Sequence, residues 1–220
     1  MSDHAGEARG GPGQWVAAPE RAVLDSLPEL NHFCLQVLAE QAHAGCPHPA
    51  VLKIAQDWLA LDTAARRRAA AHPVLLFDAG LSDPRRWQWL DPAQVHDVPP
   101  ETYGAVFTVS QAIGASQMVF VYAWSLARRH PVHARLALGM HPLCVRWITE
   151  HSVLAAHQMG ARLWMWLRPR WLNTPEFWDE LLQAAAEGGA AHLRVRMQGV
   201  RLLAAEAATA LRRSGYEEPD

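Results

Sequence analysis

YGAVFTVSQAIGASQMVFVYAWSLA, residues 103–127, runs for twenty-five positions without a charge. About 20 apolar residues are enough to cross a bilayer, so the reading of this stretch decides between a membrane protein and a packed helical domain. On a helical projection Val106, Val109, Ile113, Phe120 and Trp124 fall on one side, with Ser110, Gln111, Gly114 and Ser125 beside them and Gln117 near the apolar face. Glutamine side chains are costly in hydrocarbon unless paired. A central helix surrounded by others can pair them and can use Ser110 and Gly114 for close approach. The stretch is read as a buried central helix, and a membrane is not expected as a partner.

Outward from it, the periodicity is helical almost everywhere. Ser26-Leu27-Pro28-Glu29 has the form of a capping box and opens a stripe of Leu30, Phe33, Cys34, Val37, Leu38 and Ala42. His48-Pro49, His130-Pro131 and His141-Pro142 each place proline where a helix begins. Asp62 or Thr63 caps a short arginine-rich helix, and the helix from His141 is expected to run on to Leu167 until Pro169 ends it. His72–Asp78 is the one apolar run short enough for a strand; lacking a pairing partner, it is read as a buried extended connection or helical turn. A last helix carries Leu193, Met197, Val200, Ala204, Ala208 and Leu211 at helical spacing after Gly188-Gly189. The expected fold is all-α, an irregular bundle of about seven to nine helices in one domain over residues 20–215. Residues 1–19 are expected to be a disordered tail, 91–100 a proline-bearing hinge, and 216–220 a short terminal tail.

Composition removes several function classes. Lys53 is the only lysine against nineteen arginines, and no phosphate loop accompanies it, so P-loop and Schiff-base chemistry are not expected. Cys34, Cys46 and Cys144 cannot all pair within one chain, which points to free thiols in the cytoplasm. No metalloprotease, nucleophile-elbow or dinucleotide motif is present, so no catalytic residues are assigned. Residues 102–175 hold seven arginines and a single carboxylate, Glu150, between two acidic flanks. Such a basic middle either attracts an anionic partner or is neutralised inside the fold.

Arg162-Leu163-Trp164-Met165-Trp166-Leu167-Arg168-Pro169-Arg170-Trp171 concentrates three tryptophans and three arginines at the end of that basic segment. On a continuous helix Trp164 and Trp166 would point about 200° apart, so one indole needs either a second layer of packing or a partner. Trp and Arg are the residues in which binding energy concentrates. The expected contact surface is therefore Arg162, Trp166, Arg168, Arg170 and Trp171. The expected function is that of a non-enzymatic adaptor or regulatory accessory protein engaging an acidic protein surface. Two alternatives stand beside it. His130, His133, His141 and Cys144 have the paired spacing by which zinc is held, which would make a metal-binding domain. The basic middle could instead serve a nucleic acid.

Overall fold

A computed structural model describes residues 21–43, 48–90 and 107–216. The expected N-terminal tail, the 91–100 hinge, Cys46 and residues 217–220 lie outside the described residues. The chain is all-α, with nine α-helices among the described residues: α1 Arg21–His43, α2 Pro49–Ala60, α3 Thr63–Ala70, α4 Val109–Arg129, α5 Pro131–Leu138, α6 Pro142–Thr149, α7 Val153–Leu163, α8 Pro175–Glu187 and α9 Gly189–Ser214. One antiparallel bridge joins β1 Phe77–Asp78 to β2 Arg168–Pro169, in the register Phe77↔Pro169 and Asp78↔Arg168.

Residues 109–127 of the uncharged stretch form most of α4, residues 103–106 lie outside the described residues, and no helix among the described residues is long and apolar enough to cross a membrane. Its inward face is made of Ala112, Ala115, Ser116, Val119, Phe120, Ala123, Leu126 and Ala127. Val109, expected inside, is 53% exposed. Close approach is supplied by the partner helix α7, not by Gly114, which has open space around it. A Cβ on Gly160 would lie 2.5 Å from the Gln117 Cα, so only glycine lets the α7 backbone sit directly on α4.

Several boundaries differ from expectation, each for a local reason. α1 starts before the Ser26 box and runs through Pro28, held inward on both sides of the proline by buried Leu27 and Leu30. Phe33, placed on the core stripe by periodicity, is 40% exposed, and Asn31 is buried in its stead. Asn31 earns that position through hydrogen bonds: Nδ2 donates to the Ala70 and Val74 carbonyls, and Oδ1 accepts from Leu76 N–H at 2.9 Å. It thereby clamps the extended chain that leads into β1. The expected long helix from His141 is two helices, because the Ser152 hydroxyl caps a new start by accepting from Ala155 N–H. Trp124 Nε1 donates to the His151 carbonyl left over at that break.

α5 stops at Gly139, whose φ of 64° is left-handed and whose absent Cβ leaves room for Leu203 of α9. α9 itself turns an unexpected side inward. Val195, Gly199 and Leu203 are buried, whereas Leu193 and Met197 of the apolar stripe are 60% and 57% exposed.

Candidate functional site

Beyond Leu163 the Trp and Arg segment is not an α-helix. After α7 it makes a single 3-10 turn over Trp164–Trp166, then extends as β2. Extended chain alternates its side chains, so Arg168 and Arg170 point to the same side, past the Asp78 carboxylate of β1. The bridge is continued by Arg170 N–H donating to the Leu76 carbonyl.

Asp78 is the centre of this arrangement and is almost wholly enclosed. Its Oδ1 accepts from Gly80 N–H at 3.0 Å, its Oδ2 from Arg86 Nη1 at 3.1 Å, and Arg168 Nη2 lies 3.5 Å from Oδ2. Burial alone would raise its carboxyl pKa. The charges of Arg170, Arg86 and Arg168 and the Gly80 N–H outweigh burial and hold it below the usual carboxylate value. It stays ionised, an anchor for guanidinium groups and not a proton donor. Arg86 is fixed from its other side by the Trp166 ring, whose centroid lies 4.3 Å from the guanidinium carbon.

Arg170 is buried still more deeply. Nε donates to the Leu75 carbonyl, Nη2 to the Leu138 carbonyl at 2.8 Å, and Nη1 pairs with Glu206 of α9 at 2.6 Å. The expectation that Trp166 and Arg170 form an outward contact surface is thus corrected: Trp166 is 7% exposed and Arg170 2%. A guanidinium taken out of water must find acceptors for its fork of donors, and two backbone carbonyls and one carboxylate, from three converging segments, supply them. Trp171 is half-buried against Phe177, with a left-handed φ of 55° that is uncommon for a bulky residue. Arg168 is half-buried, and Arg162 is exposed on α7, apart from the others.

These groups line a cleft of about 640 Å³ between the β1–β2 bridge, the 3-10 turn over Pro84–Leu90, and the C-terminal half of α9. Arg85, Arg86, Arg168, Arg170 and Arg213 face into it against Asp78, Asp83 and Glu206, so positive charge is in excess. Arg85 is spoken for by a two-pronged pair with Asp83. Arg213 is exposed at the edge and makes no ion pair among the described residues. Arg85, Arg86 and Arg213 were not singled out from sequence; the pairing of Arg85-Arg86 with Asp83 two and three residues before was the available signal.

The zinc set is not assembled. Among the described residues no group of three or more His, Cys, Asp or Glu side chains is placed to hold a metal ion. His130 and His133 meet edge to face, with ring centroids 5.7 Å apart. His141 is committed elsewhere: Nδ1 accepts from Leu143 N–H as the cap of α6, and Nε2 is 2.8 Å from the Ser214 hydroxyl. That fixes the proton on Nε2, with Ser214 passing its own to the Leu211 carbonyl. Cys144 is buried, and burial first, then the charges of Asp83 and Asp78, push its thiol well above the ordinary value. Burial pushes the Cys34 thiol up to about 12.

No family model, no curated protein and no solved structure matches this chain. Fold and cleft together define an all-α protein with a cationic pocket built on an internal carboxylate anchor.

Proposed function

We propose that this protein is a non-enzymatic accessory protein that receives a carboxylate side chain of an acidic partner protein in the arginine-lined cleft. The observation that carries the reading is the excess of guanidinium groups around one enclosed carboxylate, with Arg213 at the rim lacking an ion pair among the described residues. Preorganised guanidinium groups recognise carboxylates through charge-assisted, forked hydrogen bonds. Asp78 and the Trp166 ring hold Arg86 in place before any partner arrives, which lowers the entropy cost of binding. The side chains nearest to acid, base or nucleophile chemistry are otherwise engaged: Asp78 held ionised, His141 bonded through both nitrogens, Cys144 protonated. The partner-binding role passes from Arg162, Trp166 and Arg170 to Arg168, Trp171 and Arg213, with Trp166 and Arg170 as the frame behind them. Buried, protonated thiols at Cys34 and Cys144 suit the reducing cytoplasm.

The test is fluorescence anisotropy with a labelled oligoglutamate peptide at low salt. Arg213→Glu is expected to weaken binding by about tenfold or more, the equivalent of one charged hydrogen bond. Arg162→Glu, the same change of charge on α7, is expected to leave it near the wild-type value. Equal effects of the two substitutions, or none from Arg213→Glu, would refute the cleft as the site.

A further inference from the structure

The apolar stripe of α9 has the spacing of a coiled-coil seam, and its N-terminal part, from Leu193 to Ala204, points away from the protein. Leu193, Met197, Val200, Ala204, Ala207 and Leu211 recur alternately at four and three residues, which is the a/d pattern of a heptad. At about 100° per residue, that stripe is centred some 120° round the helix from the buried Val195, Gly199 and Leu203. Leu193 is 60% exposed, Met197 57% and Val200 36%, and Ala204 is exposed too. Large apolar groups at consecutive seam positions, all facing solvent, mark a docking surface more strongly than the same residues scattered singly.

The flanking charges say what docks there. With Leu193 and Val200 at d, Arg194 and Arg201 take the e positions and Arg196 the g position. No ion pair is formed by any of the three among the described residues, and from Gly189 to Ala205 the helix carries no carboxylate. These are the positions through which paired helices choose partner and orientation. In a parallel pairing of two copies of α9, Arg196 would face Arg201 of the other copy twice over; in an antiparallel pairing the e positions would face each other, again arginine to arginine. Self-association is opposed in both directions. A bilayer is a poorer fit as well, since the face is a narrow seam without Trp or Phe.

We infer that the outward seam Leu193–Met197–Val200–Ala204 of α9 docks an acidic amphipathic helix of a partner protein, with carboxylates of that helix paired to Arg194, Arg196 and Arg201. The seam stands on different side chains from the cleft, and neither reading depends on the other.

The experiment uses the full chain and a labelled synthetic helix with leucine at a and d and glutamate at e and g. Anisotropy is expected to report binding that weakens by about tenfold in Met197→Glu, as for a central interface anchor. The same peptide with lysine for glutamate is expected not to bind. Arg213→Glu, which alters the cleft, is expected to leave this peptide's affinity unchanged, so failure here and failure of the cleft are read separately. Met197 is exposed, and an unchanged melting temperature of Met197→Glu establishes that lost binding is not lost folding. Four results overturn the inference: equal affinity for the lysine peptide, no effect of Met197→Glu, a wild-type dimer in sedimentation that Met197→Glu dissociates, or binding to phosphatidylserine vesicles in place of the acidic helix.

Discussion

Replacing Arg170 by methionine distinguishes a structural frame from a binding surface. The substitution keeps most of the apolar stem and deletes the guanidinium. It strips a donor from the Leu75 and Leu138 carbonyls and removes the cation from Glu206, while Asp78 loses one of three nearby positive charges. Each buried carbonyl left unpaired costs about 1–3 kcal/mol. Glu206 is 30% exposed and regains water, so its share is small. The total is about 4 kcal/mol, within the range for breaking a buried pair by removing one side and a large part of a typical domain's whole stability. Urea unfolding followed by tryptophan fluorescence reads it as a lowered midpoint with an unchanged slope. Arg213→Met, at the exposed rim, is expected to shift stability by no more than about 0.5 kcal/mol while weakening the oligoglutamate peptide. If Arg170→Met unfolds at the wild-type urea concentration yet loses the peptide, Arg170 is a ligand contact and its assignment to the frame is wrong.

Two further predictions concern the packing around the site. Gly160→Ala and Gly114→Ala make the same change in neighbouring helices and are expected to act in opposite directions. At Gly114 the space is open, so alanine's helix preference stabilises by up to about 1 kcal/mol; at Gly160 the new Cβ meets Gln117 and Ser116 backbone, which cannot rotate away, and overpacking destabilises by about 1–3 kcal/mol. Thermal melts of the two variants moving in the same direction would contradict the α4–α7 contact. His72 predicts a pH dependence. Burial, reinforced by the charges of Arg196 and His192 on α9, outweighs the Val195 backbone contact and lowers its pKa from 6.5 to about 4. The folded state therefore prefers the neutral ring: the contribution is present in full above 6.5 and is lost as pH falls from 6.5 towards 4. At about 1.36 kcal/mol per pH unit this amounts to about 3 kcal/mol. Stability measured from pH 7 to 4 should fall less steeply in His72→Asn than in the wild type; identical slopes would show that His72 is not held neutral.

Helical class and most helix starts were legible because they depend on local chemistry. Proline after histidine opens α2, α5 and α6, and Asp62 caps α3 by accepting from Ala65 N–H, as its place in sequence implies. The cleft was only half legible. The density of Trp and Arg at 162–171 located one wall, but the assumption of a continuous helix hid its geometry: Trp164 and Trp166 separate by a 3-10 turn, and Arg168 and Arg170 align because the chain extends. That extension needs Phe77–Asp78 from ninety residues upstream, a long-range pairing with no periodic trace in two residues. Asp78 was visible only as the end of an apolar run, and its meaning appears once three arginines from two segments converge on it.

α9 exposes the deeper limit. Periodicity shows that a set of residues shares a face, and says nothing about whether that face turns inward. On α9 two faces compete, and the bulkier one, Leu193 with Met197 and Val200, lies outside. The inner face wins through its neighbours: glycine at 199 admits the His72 ring, Leu203 fills the space over Gly139, and Glu206 reaches Arg170. A side chain at position 199 would collide with His72, and rotation of the seam inward would bring Met197 or Val200 against that ring and strand Arg170 without its carboxylate. The polar contacts of the cleft therefore set the rotation of α9, and that rotation is what leaves the seam and its arginines presented to solvent.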